Sequence, residues 1–228
     1  MGIKSYIGMS LTDWDGKVSA VIFIGGCNMR CPFCHNWDLA ANPDSVEDLD
    51  TEEILGKIKK SSGWIDGVVI TGGEPTCYSG LVDIARSIKS MGLEVKLDTN
   101  GSNPDVVKRM IDDGLVDFVA MDVKNSWNKY SITAGTDVDT DKILESIVLL
   151  KGMGSYELRT TVVPGLVTPE DLKAICTYIK GAKSYVLQRF HPENIVDPNY
   201  SELPPQEDEE MDELRALCSE HIETNWRN

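Results

Sequence analysis

The sequence predicts an α/β fold: a partial (β/α)6 TIM-like barrel with parallel strands and a C-terminal helix. Three observations lead there. Six β-rich runs alternate with helical patterns, and parallel neighbours need such crossovers. Neither a G-x-G-x-x-G fingerprint nor a P-loop follows the first run, so the open nucleotide-binding sheets lack their motifs. Residues able to do chemistry collect where the strands end, which is where a barrel carries its active site.

The first run, Val18 to Ile24, reads as a buried strand stopped by Gly25-Gly26. Thr51 is the expected cap of a helix with Ile54, Leu55 and Ile58 inward, and Gly67 to Thr71 is the next strand. A helix through Leu81, Ile84, Ala85 and Ile88 stops near Met91-Gly92, before the strand Leu93 to Leu97. Pro104 opens a helix containing Val107 and Ile111, and Val116 to Met121 follows as a strand. A helix is expected to bury Ile143, Leu144, Ile147 and Val148 ahead of the strand Glu157 to Val163. Thr168-Pro169-Glu170-Asp171 has a cap, a first-turn proline and early acids, heading a helix with Leu172, Ile175 and Ile179 inward. Ser184 to Gln188 is the sixth strand. Beyond Leu203-Pro204-Pro205, the acidic run Gln206 to Glu213 reads as the exposed start of a terminal helix.

At 228 residues the chain suits one domain, 1–228, with a core of about 16–200 and the acidic helix at about 204–224. Hydrophobic residues at 41% and charged residues at 26% exclude a disordered chain and a membrane bundle. The 22 Lys+Arg against 37 Asp+Glu give a formal charge of −15, which repels phosphate backbones and anionic lipid. Neither nucleic acid nor membrane is expected as a partner. No secretory signal pattern precedes the first strand, so a cytoplasmic location is expected.

The strand ends carry Cys27-Asn28-Met29-Arg30-Cys31-Pro32-Phe33-Cys34, Gly72-Gly73-Glu74-Pro75, Asp98-Thr99-Asn100-Gly101, Asp122 with Lys124, Arg159, and Arg189-Phe190-His191. Three of the six cysteines fall within eight residues, a metal or redox pattern in a reducing compartment. Cys77, Cys176 and Cys218 read as buried small hydrophobes. A 4Fe-4S cluster takes four ligands, so three thiolates would leave one iron open to an external ligand. Competing readings exist. Cys31-Pro32-Phe33-Cys34-His35 matches the haem attachment pattern but lacks an export signal, and the Cys31–Cys34 redox-pair reading ignores Cys27. Cys27, Cys31, Cys34 and His35 are also a chemically ordinary zinc set. Each remaining loop, taken alone, is acceptable as an ordinary turn or surface pair.

Cys-x3-Cys-x2-Cys with Phe33 before the last cysteine, followed one βα unit later by Gly-Gly-Glu-Pro, resembles the radical S-adenosylmethionine (SAM) enzymes. The resemblance implies a 4Fe-4S cluster on Cys27, Cys31 and Cys34, with SAM chelating the open iron. It places adenine near Phe33 and the methionyl amine at the turn Gly72, Gly73 and Glu74. Ser10 to Lys17, together with Gly26 to Asn36, is similar to the anaerobic ribonucleotide reductase activating proteins, a branch of the glycyl-radical-enzyme activases. Asp98-Thr99-Asn100-Gly101, Met121-Asp122-Val123-Lys124 and His191 resemble loops of the pyruvate formate-lyase activases. That likeness implies SAM contacts from Asp98, Lys124 and His191, with Arg159 a further candidate for its carboxylate. It also implies a monovalent cation at Asp98, Thr99 and Asp122. The implied activity is reductive cleavage of SAM to a 5′-deoxyadenosyl radical that takes a glycine Cα hydrogen from a partner such as anaerobic ribonucleotide reductase. A flavodoxin or ferredoxin-type donor would supply the electron. The chain carries no second cysteine cluster, unlike activases with a ferredoxin-like insert. Two alternatives remain: a small-molecule radical SAM enzyme such as 7-carboxy-7-deazaguanine synthase, and a non-catalytic zinc or iron-sulfur module.

Overall fold

The computed structural model describes residues 1–195 and 197–228. They form two compact units. Met1–Asn28, Asn36–Thr99 and Asp105–Val119 make the first; Met29–His35, Asn100–Pro104 and Ala120–Asn228 make the second.

In the first unit strands pair in chain order: β1 (Ile3–Ser10), β2 (Ser19–Ile24), β3 (Gly67–Gly72) and β4 (Glu94–Thr99). The last three are parallel, with Val21 beside Val69 and Val69 beside Lys96. β1 is antiparallel to β2, Ile7 facing Val21, and lies outside the six expected strands. Its Gly8 and interleaved serines hide the strand period, and most of its residues beyond Lys4 are exposed. The β1–β2 connection inserts Trp14 against Val21 and Val69, beside Phe118.

The helices of this half are α1 (Trp37–Ala41), α2 (Thr51–Ser61), α3 (Leu81–Ser90) and α4 (Pro104–Asp112). Asp50, rather than Thr51, caps α2: its carboxylate accepts from Glu53 N at 2.7 Å and Thr51 becomes the first helical residue. α3 ends before Gly92, which takes the left-handed conformation (φ 77°) that a helix stop favours. β5 (Phe118–Asp122) then carries the chain into the second unit.

There β6 (Tyr156–Val162), β7 (Tyr185–Arg189) and β8 (Thr224–Arg227) are parallel and again in chain order. β8 is the second unexpected strand; four residues, Thr-Asn-Trp-Arg, are too short and polar to announce one. The helices are α5 (Tyr130–Ala134), α6 (Thr140–Lys151), α7 (Pro169–Tyr178), α8 (Pro198–Ser201) and α9 (Asp208–Ser219). The expected capping box of α7 is present between Thr168 and Asp171. α6 buries Ile143, Ser146, Ile147 and Leu150, whereas Leu144 and Val148 are exposed, contrary to the expected face. Ser146 takes an inward position because its hydroxyl donates to Gly101 O at 2.7 Å. α9 begins with exposed acids and buries Met211, Leu214 and Cys218. Among the described residues no helix is long and apolar enough to cross a membrane.

Candidate functional site

In the first unit, the ends of β2 and β3 pack main chain on main chain. Ile24 and Gly72 are register partners, and a Cβ at Gly72 would lie 2.4 Å from Ile24 O. One at Gly73 would lie 2.1 Å from Gly26 O. Glycine is therefore obligatory at both positions. Gly73 N donates to Ile24 O and Glu74 N to Gly26 O, each at 2.8 Å, which seats the turn against the residue before Cys27.

Glu74 is buried, and its Oε1 accepts from Thr76 N at 3.0 Å, Thr76 Oγ1 at 2.5 Å and Thr99 Oγ1 at 2.7 Å. The carboxylate thus caps the short turn Pro75–Cys77 and ties it to the end of β4. Asp98 is part-buried, 3.7 Å from the buried Lys96 ammonium. None of the Glu74 and Thr99 bonding was legible from sequence, because residues 25 apart share a carboxylate without any local pattern.

In the second unit, the cysteine loop rests on the segment after β5. Arg30 N donates to Ala134 O at 2.7 Å, and Gly135 closes α5 with φ 64°. A Cβ there would meet Arg30 O at 2.0 Å. Sequence reasoning missed this contact; the one signal was a glycine ending a short helical pattern. Cys31 and Phe33 are buried, Cys34 is half-buried, and Cys34 N turns back onto Cys31 O at 3.1 Å. None of the six cysteines is in a disulfide.

Asp122, at the end of β5, lies between two cations: Lys124 Nζ at 3.0 Å and Arg159 Nε at 2.8 Å. Burial alone would raise its pKa, but Arg159 and Lys124 hold it at about 2. Burial would likewise pull Lys124 down; Asp122 and the Cys31 sulfur instead keep it well above the usual lysine range. Burial pushes the Cys31 thiol up, and the Lys124 charge works against that rise. Arg159 also lies 3.9 Å from Glu157, which accepts from Arg227 at 2.6 Å. His191 is half-buried after β7, and its carbonyl oxygen lies 2.8 Å from His35 Nε2.

The second unit therefore brings Cys31, Cys34, Phe33, Asp122, Lys124, Arg159 and His191 onto its strand ends and the loop beside them; the first holds Cys27, Gly72, Gly73, Glu74, Asp98 and Thr99. Among the described residues no three His, Cys, Asp or Glu side chains are grouped to hold a metal ion. A single zinc needs four donors at about 2.0–2.3 Å, and with Nε2 turned to the His191 carbonyl His35 could offer only its Nδ1. Three thiols on one loop, none in a disulfide and the most buried facing a lysine cation, fit the thiolate donor set of an iron-sulfur cluster.

Three cysteines on the loop after one strand and a glycine turn after the next parallel strand define a class. The chain belongs to the radical SAM superfamily, whose profile matches residues 21–179. That family uses a 4Fe-4S cluster and SAM. A Methanocaldococcus jannaschii protein assigned as a glycyl-radical enzyme activating enzyme is 36% identical over 227 residues, covering 97% of this chain and 93% of that protein. The 7-carboxy-7-deazaguanine synthase of Hyperthermus butylicus is 38% identical over 93 residues, 39% of this chain and 37% of that one. The crystal structure of Streptococcus suis SuiB bound to precursor peptide SuiA superposes with TM-score 0.67 at 12% identity, over 91% of this chain and 48% of that chain. That last likeness is of fold, and it agrees with the α/β partial-barrel class the sequence predicts.

Proposed function

We propose that this chain is the activating enzyme of a glycyl radical enzyme, anaerobic ribonucleotide reductase or a relative of it. The observation that carries the reading is continuity. The likeness to an activating enzyme runs through 97% of the chain, whereas that to a deazaguanine synthase stops at 39%.

Cys27, Cys31 and Cys34 would hold the 4Fe-4S cluster. When bound, cluster and SAM supply one-electron cleavage of the sulfonium and a 5′-deoxyadenosyl radical that takes a hydrogen atom from a glycine Cα. This chain's residues bind, orient and shield. Gly72 and Gly73 let the β3 turn pack main chain on main chain against the end of β2, and the peptide groups of that turn would meet the ligand amine. Lys124 would offer its ammonium to a carboxylate, with Arg159 behind it through Asp122. Phe33 offers an apolar wall to adenine, and Asp98 and His191 complete the contacts. Asp122 already accepts from two cations, so we propose no monovalent cation on it. The electron would come from a flavodoxin or ferredoxin-type donor.

Anaerobic reconstitution with iron, sulfide and reductant, followed by assay for 5′-deoxyadenosine, tests the chemistry beside a Cys31→Ala control. Absence of SAM cleavage by the reconstituted protein sinks it. Incubation with a candidate glycyl radical protein should then give a doublet on that partner by electron paramagnetic resonance. Small-substrate turnover without a doublet supports the synthase reading instead.

A further inference from the structure

Cys34 is followed at once by His35 and Asn36, and each side chain reaches a main-chain carbonyl on a different strand-end loop. His35 Nε2 lies 2.8 Å from the oxygen of His191, after β7. A carbonyl oxygen only accepts, so Nε2 carries the proton. Asn36 Nδ2 donates to Gly72 O at 2.9 Å, in the turn after β3. Packing does not explain either residue. His35 is exposed. Asn36 occupies the N-cap of α1, where asparagine ordinarily bonds its own helix, yet its side chain makes no capping bond and goes to Gly72 instead.

The pair is anchored from behind. Asn36 O accepts from Ala40 N at 2.8 Å, Leu39 O from Gly26 N at 2.7 Å, and Ala40 O from Cys27 N at 3.1 Å. The exit of the cysteine loop is thereby tied to its entrance, which gives residues 35 and 36 a fixed base.

We infer that His35 and Asn36 are positioning residues: within the second unit His35 clamps the His191 loop to the cysteine loop, and within the first Asn36 clamps the Gly72 turn to the start of α1, so that each segment keeps the conformation in which it meets SAM. The purpose of the clamp rests on the proposed function; the clamp itself belongs to the unloaded chain. His35→Ala removes the first bond. His35→Gln restores it, because the glutamine amide nitrogen falls near the place of Nε2. Asn36→Asp removes the second donor while keeping an excellent N-cap, which separates a clamp from a cap.

Two measurements decide. In the protein without cluster, hydrogen exchange should quicken in segment 186–195 for His35→Ala and in 72–76 for Asn36→Asp, and stay at the wild-type rate for His35→Gln. In reconstituted protein, iron per chain should be unchanged, while the SAM dissociation constant rises about three- to tenfold for His35→Ala and Asn36→Asp, the worth of one net hydrogen bond. His35→Gln should bind within about twofold of wild type on the same scale. Unchanged exchange and SAM binding in His35→Ala would overturn the inference, as would equal impairment by alanine and glutamine, or wild-type behaviour of Asn36→Asp. If the wild-type protein binds no SAM, the proposed function fails, and the exchange rates still decide whether the clamp exists.

Discussion

Gly73→Ala adds one methyl group in a place where only main chain can yield. Its Cβ would stand 2.1 Å from Gly26 O, 2.7 Å from Gly26 C and 3.3 Å from Cys27 N. The φ of Gly73 is not in the left-handed region, so the cost is contact and not backbone strain. Ordinary contact requires the β2 end or the β3 turn to retreat by about 1 Å, which also stretches the bond from Glu74 N to Gly26 O, now 2.8 Å. Overpacking of about 1–3 kcal/mol plus a weakened hydrogen bond of about 1 kcal/mol gives a loss of about 2–4 kcal/mol. At about 2–4 °C per kcal/mol for a chain of this size, the Tm should fall by about 4–16 °C. Gly56→Ala is the control: a Cβ in the middle of α2 meets nothing within 4 Å, and alanine should stabilise by about 0.5–1 kcal/mol. The assay is thermal unfolding of the unloaded protein, with iron per chain after reconstitution as a second reading, because the displaced main chain includes Cys27. A Gly73→Ala protein with wild-type Tm and full iron would refute the close-packing account of the turn.

Asp171 accepts from Ser126, Lys129 and Thr168. Burial would raise its pKa, but those partners hold it at about 2. A depressed folded pKa gives stability that is complete above the unfolded value of about 3.9 and lost as pH falls toward about 2. Wild-type stability, followed by urea unfolding, should decline across that window, and Asp171→Asn should show a lower plateau with a flatter acid limb. Thr99→Val keeps shape but removes a donor from the buried Glu74, and should cost about 1–3 kcal/mol by the same assay. On α6, Ile147→Ala should cost about 2–5 kcal/mol, whereas Val148→Thr should stay within about 0.5 kcal/mol; the reverse order would restore the helix face expected from sequence.

The legible parts of this protein are those governed by local period and punctuation. Buried parallel strands such as Val68-Val69-Ile70 are apolar on both faces, and the capping box at Thr168 is a four-residue signal, so both can be read directly. β1 and β8 escape because one is interleaved with glycine and serine and the other is four residues, three of them polar, completed by β7. The face of α6 was misplaced because Ile143, Leu144, Ile147 and Val148 fit a stripe as well as Ile143, Ile147 and Leu150 do; a serine bonding Gly101 decides between them. The same division runs through the site. The cysteines and the glycine turn are motifs, but Gly135 beneath Arg30 and His35 beside His191 join residues more than a hundred positions apart.

Charge shows why the second unit is built as it is. Lys124, Asp122, Arg159, Glu157 and Arg227 follow one another at 3.0, 2.8, 3.9 and 2.6 Å, alternating in sign. Three cations against two carboxylates leave one positive charge, in a chain whose formal charge is −15. Burying isolated charges is prohibitive, so the alternation is what lets the row exist at all. Its ends are the cations Lys124 and Arg227, and Lys124 is the group that opposes the burial-driven rise of the Cys31 pKa. Thiolate ligands and a carboxylate-bearing cofactor are anions that such an end accommodates and that the acidic remainder of the chain would repel. Reversing the row's end, by Lys124→Glu, would put a second carboxylate against Asp122 and remove the charge that opposes burial at Cys31.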